Sequence, residues 1–287
     1  MPLNSRVVGA STREFTHSVD ARWLMAYADG IGDNNPRYQD TTQGEVLGHP
    51  MFPVCLEWPV ILGSRELPGY ETVSPQESAR IVHASHDLHI HQPIVAGESY
   101  TTQAEVVSLS AIRPGAAVVT RLDTRNSRSE LACQTWHLGI CRGVAIEGEP
   151  GAIETAPAPP DLAGAQPQER AFQIPVVEGL SHTYTETARI SSPIHTDPAY
   201  AKAAGLPDII LHGTATLALG VTALVNAFAG GDPVRVERIG GRFSGIVLMP
   251  NTLTLEVTSR ADSTYGFRML EPGGAEVFTA GYITLKS

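Results

Sequence analysis

The spacing of apolar side chains changes period several times along the chain. In TATLALGVTALVNAFAGG, beginning at Thr214, the residues Leu217, Val221, Leu224, Val225 and Phe228 recur at helical spacing, which predicts a long apolar helix stopped by Gly230 and Gly231. Upstream, DPAYAKAAG places Asp197 at an N-cap, Pro198 at the first helical position and Gly205 at the stop, the pattern of a short capped helix. Downstream the period falls to two. ERIGGRFSGIVL, NTLTLEVTSR, TYGFRMLE and AEVFTAGYITLK alternate and are rich in β-branched residues, so they predict antiparallel strands, with Pro272, Gly273 and Gly274 in a turn. One apolar helix followed by such strands predicts an α+β unit in which the sheet wraps around the helix.

The same order occurs earlier in the chain. MFPVCLEWPVIL stands in the place of the central helix, and Pro53 and Pro59 predict that it is broken or kinked. IVHASHDLHIHQPIVAGESYTTQAEVVSLSA, GAAVVTRLDTRN and ELACQTWHLGICRG then supply strands. Residues 148–168 hold five Pro, five Ala and no Lys or Arg, the composition of a linker. The expected organisation is an N-terminal unit 1–147, a linker 148–168 and a C-terminal unit 169–287, each unit long enough for a domain. At a constant offset of 157, Tyr27 meets Tyr184, Pro36 meets Pro193 and Asp40 meets Asp197. The copies differ where chemistry is expected: Asp33 faces Ile190, Asn35 faces Ser192 and Tyr38 faces His195.

Composition narrows the function classes. With 30 acidic and 20 basic side chains the formal charge is −10, which disfavours duplex nucleic acid as a partner. No apolar run of about 18 residues and no secretory leader is legible, so the expectation is a cytoplasmic protein that does not enter a membrane. Cys55, Cys133 and Cys141 lack CxxC spacing and read as buried thiols. No Walker or Rossmann glycine pattern is present, and neither a cofactor nor a metal is expected. Four histidines crowd one predicted strand; alternation puts His83, His89 and His91 on one face and His86 on the other, as a polar wall or as core side chains.

Two separately spaced motifs carry a resemblance. Ser192-Pro193-Ile194-His195-Thr196-Asp197 and, after a short helix, Ile209-Ile210-Leu211-His212-Gly213 resemble the signature of the MaoC-like hydratases and dehydratases, in particular the double-hotdog (R)-specific 2-enoyl-CoA hydratases. Arg242-Phe243 and Met249-Pro250-Asn251-Thr252-Leu253 are similar to a strand pair of that family, and Gly32-Asp33-Asn34-Asn35-Pro36-Arg37-Tyr38 keeps the acid but has Tyr at the His position. The resemblance implies a double hotdog: two tandem units, each an antiparallel sheet around a central helix. It also implies hydration of 2-enoyl-CoA or dehydration of (R)-3-hydroxyacyl-CoA, with an acyl-CoA thioester as substrate. His195 matches the family's water-activating His, and Gly213 its oxyanion-holding N–H at the start of the central helix.

The family's Asp does not carry over, because Ile190 stands at its position. Three readings follow: Asp33 acts with His195 across the two units, Asp197 or Glu186 substitutes, or the chain binds acyl thioesters without hydrating them. Thioesterase action on the same fold is a further alternative. Substrate contacts are expected at His212, more as a loop-fixing residue, at Arg242, with Arg238 and Lys202 as other candidates for the CoA phosphates, and at His91 on the strand resembling an acyl-tunnel wall. A homodimer is the expectation for assembly.

Overall fold

The computed structural model describes residues 2–78 and 80–286. In the N-terminal unit the order is β1 (Phe15–Val19), α1 (Ala21–Gly30), α2 (Pro36–Gln39), α3 (Pro53–Gly63), β2 (Ile81–Ile90), β3 (Glu98–Ile112), β4 (Gly115–Arg125) and β5 (Leu131–Arg142). The C-terminal unit repeats it as β6 (Gln166–Val176), α4 (Leu180–Ala188), α5 (Pro198–Ala203), α6 (Gly213–Phe228), β7 (Val236–Phe243), β8 (Asn251–Ala261), β9 (Thr264–Leu270) and β10 (Glu276–Leu285). The expected double hotdog is therefore the observed architecture. The outer strands β1 and β6, which the hydrophobic pattern left unassigned, complete each unit.

The strands form one sheet in the order β1-β3-β4-β5-β2-β7-β10-β9-β8-β6, with every neighbouring pair antiparallel. Read outward from the centre, both units follow the same path. The junction is the β2–β7 ladder, from Arg238 opposite His89 to Arg242 opposite Ser85. Backbones approach closely here, for a Cβ at Gly240 would lie 2.8 Å from the His86 carbonyl oxygen and collide with Tyr282.

Helix α6 is apolar all round because the sheet encloses it; Ala215, Leu217, Ala218, Val221, Leu224 and Val225 are at most 1% exposed. Helix α3 runs uninterrupted across Pro59, contrary to the expected break. Proline removes one intrahelical hydrogen bond, and the burial of Val54, Cys55, Leu56 and Val60 on either side of it holds the helix together. The two units also meet through α1 and α4. Tyr27 and Tyr184 are fully buried with hydroxyls 3.4 Å apart, the Trp23 indole donates to the Thr187 carbonyl at 2.9 Å, and the Arg189 guanidinium lies 3.6 Å over the Trp23 ring.

The Pro/Ala-rich segment is a strap rather than a free tether. Gly151–Ala152 pairs with β3, Glu154 takes Arg121 and the Trp136 indole N–H, and the Ala158 carbonyl accepts from Arg238 at 2.9 Å. From Gln166 the chain is already β6, so the segment ends before residue 168.

Gly30 packs directly on Thr187 across this interface, and a Cβ there would overlap the Thr187 side chain. Gly30→Ala is expected to lower stability by about 1–3 kcal/mol through overpacking. That outweighs the ~1 kcal/mol gained in helix propensity. Denaturant unfolding followed by circular dichroism measures the difference.

Candidate functional site

Each central helix begins beside the loop that carries the offset-157 motif, which gives two equivalent places. In the C-terminal unit, His195 sits in a turn of 3-10 helix (Pro193–His195) and its Nδ1 donates to the Ile210 carbonyl at 2.8 Å. That bond fixes the tautomer and leaves the Nε2 lone pair open. The ring stacks on His212, with centroids 3.6 Å apart. His212 is 2% exposed, and its Nε2 donates to the Ile190 carbonyl at 3.2 Å and lies 3.3 Å from the Thr185 hydroxyl, so it pins the loop as expected. Burial lowers the His195 pKa to about 4 and takes that of His212 well below its ordinary value, so both rings are neutral at neutral pH.

The next residue, Gly213, is the first of α6 and is exposed. Its N–H has no intrahelical acceptor and points out of the positive end of a 16-residue helix. A Cβ at this position would stand 2.9 Å from the Phe243 ring, so only glycine leaves room beside that N–H.

In the N-terminal unit the counterparts are Asp33, Tyr38 and His49. His49 Nδ1 accepts from the Met51 N–H at 3.1 Å, which makes Nε2 the donor; it lies 3.2 Å from the Thr222 hydroxyl, and that hydroxyl donates to Asp33 Oδ2 at 2.9 Å. Asp33 is 4% exposed and burial raises its pKa. Burial lowers that of His49 to about 3. Pro50 follows His49 as Gly213 follows His212, and proline has no N–H to offer an oxyanion.

These contacts separate the residues expected to work together. Asp33 is held by Thr222, nine residues along α6 from Gly213, a distance of about 13 Å at the helical rise. His195 is held at the helix start, so the pairing of Asp33 with His195 is not formed. Asp197 caps α5, accepting from the Ala199 and Tyr200 N–H groups at 2.9 and 3.1 Å, and it is exposed, as is Glu186; neither is directed at His195 by any contact. His91 is exposed and lies with His89 beside a groove lined by Pro160, Glu237, Arg238, Thr264 and Thr284, on the sheet face opposite α3, so it does not line a tunnel in the core. Arg238 is committed to Asp87 through two bonds of 2.8 and 2.7 Å. Arg242, next to Phe243, and Lys202 are exposed.

Sequence reasoning missed Glu57. It sits on α3, 1% exposed, and accepts from the Thr135 hydroxyl at 2.5 Å. Burial raises its pKa to about 7. A lone Glu in an apolar helical pattern carries no signal of this in the sequence.

Comparison with known proteins agrees with this arrangement. The model of the MaoC-like domain matches residues 165–269, and that of the FAS1-like dehydratase domain region matches residues 6–132, one on each unit. The chain is 26% identical over 264 residues to the peroxisomal enoyl-CoA hydratase 2 of Arabidopsis thaliana, covering 85% of this chain and 83% of that protein. It is 26% identical over 261 residues to 3-hydroxyacyl-thioester dehydratase Y of Mycobacterium tuberculosis, covering 88% and 87%. The crystal structure of a MaoC-like dehydratase from Phytophthora capsici superposes with a TM-score of 0.84 at 21% identity, over 97% of this chain and 96% of that one.

Glu57 yields a prediction with a definite sign. Its folded pKa of about 7 lies above the unfolded value, so the folded state binds the proton more tightly, and stability falls as pH rises through that window. Above it the buried charge costs about 3 kcal/mol. Glu57→Gln is expected to stabilise the protein by roughly that amount near pH 8, with the gain shrinking as pH is lowered to 5. Denaturant unfolding of both proteins at the two pH values tests it.

Proposed function

We propose that this chain, which is similar to the MaoC-like dehydratases in its C-terminal unit and to the FAS1-like dehydratase region in its N-terminal unit, hydrates 2-enoyl-CoA thioesters and dehydrates (R)-3-hydroxyacyl-CoA thioesters at His195 and Gly213. The observation that carries this assignment is the contact set at the start of α6: an imidazole with its tautomer fixed and Nε2 open, stacked one residue from an exposed helical N–H.

The thioester oxygen accepts from the Gly213 N–H, and the helix end stabilises the negative charge that develops there as water adds. His195 Nε2 takes one proton from water while the hydroxyl oxygen bonds to the β-carbon. The imidazolium then returns that proton to the α-carbon, so the alkene, the water and the proton are all accounted for. Dehydration runs the same steps in reverse. His212 holds the ring of His195 in place by stacking, and its own bond to the Ile190 carbonyl keeps that support rigid. With Ile190 in place of an acid, one histidine performs both proton transfers. We assign the phosphates of CoA to Arg242, which is exposed and next to Phe243.

Ile190 favours a second reading, in which the site binds acyl thioesters with little or no hydration. Following the loss of the conjugated double bond of trans-2-enoyl-CoA esters separates the two, and release of free thiol would instead identify a thioesterase. His195→Gln is expected to lower kcat/KM by about 10²–10⁴-fold. Asp33→Asn, which alters a residue held by the Thr222 hydroxyl and far from His195, is expected to keep kcat within a few-fold. Wild-type protein that binds the esters without turnover would establish the second reading.

A further inference from the structure

Under α3, the core face of the N-terminal sheet carries a polar cluster that hydration does not use. The β2–β5 register shifts between His83 and Ser85, and His83 thereby joins His86 and His137, not His89 as strict alternation predicts. The His83 ring lies 4.0 Å from that of His137 and 5.5 Å from that of His86, centroid to centroid. His86 is 2% exposed, and both of its ring nitrogens are buried without a hydrogen-bond partner, as is His83 Nε2. Every neutral imidazole carries one N–H and one lone pair, so whichever His86 nitrogen is protonated, its N–H finds no acceptor in the chain.

Arg65, in the 3-10 turn Ser64–Glu66 that follows α3, stands close enough to His137 for its charge to oppose protonation of the ring. Among the described residues no carboxylate lies within ion-pair distance of Arg65. Of the acids on α3 and β2, Asp87 faces the other side of the sheet and holds Arg238, and Glu57 is bonded to Thr135. The other polar neighbours of Arg65 are Tyr70 and Cys141. Buried polar atoms without partners are rare in folded proteins, and three in one cluster beside an unpaired guanidinium mark a place that an acceptor from outside the chain would complete.

The cluster adjoins the site. The Phe243 ring lies 4.6 Å from His83, and a Cβ on Gly213 would stand 2.9 Å from the same ring. One phenyl ring is thus shared by the two places.

We propose that His83, His86, His137 and Arg65 form a subsite for an acyl group ending in a carboxylate, so that the substrate is the mono-thioester of a short dicarboxylic acid. The proposal rests on the reading of Gly213 as the thioester position. A carboxylate only accepts hydrogen bonds, and the His86 N–H and the Arg65 guanidinium are the donors it would meet. Burial keeps the rings neutral when the subsite is empty, with pKa values of about 4 for His86 and about 3 for His137, and an arriving carboxylate supplies the counter-charge that Arg65 lacks. A methyl-ended chain would leave the His86 N–H without an acceptor.

The test compares trans-2-hexenedioyl-CoA with trans-2-hexenoyl-CoA in turnover, and adipoyl-CoA with hexanoyl-CoA in calorimetric binding, for wild type, His86→Phe and Arg65→Gln. The expected result is a preference of at least tenfold for the carboxylate-ended esters in wild type, reduced tenfold or more in each variant. Arg65 is half-buried at a turn, so Arg65→Gln provides the comparison even where His86→Phe fails to fold. Hydration of hexenoyl-CoA with no preference for the carboxylate overturns the subsite and leaves the hydratase reading standing. Arg65-dependent binding of adipoyl-CoA with no turnover of either ester supports the subsite and overturns hydration. Neither binding nor turnover overturns both.

Discussion

The antiparallel ladder from Arg238 opposite His89 to Arg242 opposite Ser85 joins two half-sheets into one, and in doing so brings Phe243 of the C-terminal unit against His83 of the N-terminal unit. Because backbone groups left unpaired at an edge carry a desolvation cost when covered, each unit needs the other along this line. The single sheet then encloses α6 and α3, and the start of α6 opens beside the neighbouring unit's strands.

Duplication has left complementary remnants. The N-terminal place keeps Asp33 but has Tyr38 for the imidazole and Pro50 for the N–H donor; the C-terminal place keeps His195 and Gly213 but has Ile190 for the acid. Asp33 is stabilised by the Thr222 hydroxyl of the other unit's helix, which turns a chemical residue into part of the packing between units. A tautomer-fixed imidazole and an exposed helical N–H stand together at the start of α6, and this is why the proposed chemistry is assigned there.

The fold was legible because its signals are local and periodic: the α6 stripe, the Asp197-Pro198 cap and the alternating strands all reappear at their expected positions. The continuity of α3 was not, since tertiary packing overrides the effect of Pro59. His195, His212 and Gly213 could be named from motif spacing, but whether Asp33 reached His195 depended on three-dimensional separation along α6. The true facing of His83 was hidden for a similar reason, because a one-residue register shift reverses the side on which a strand residue points. Glu57 and Arg65 gave no sequence signal, as their significance lies in what surrounds them.

The strap from Gly151 to Pro160, held to the outer sheet by Ala152, Glu154 and Ala158, makes the pairing of the units intramolecular. In a symmetric pair of identical hotdogs, any substitution is made twice and both sites feel it. Once a covalent strap joins the halves, a change that suits one pocket no longer has to be tolerated by the other. Proline after His49 and glycine after His212 is an asymmetry that no homodimer of a single gene product could encode.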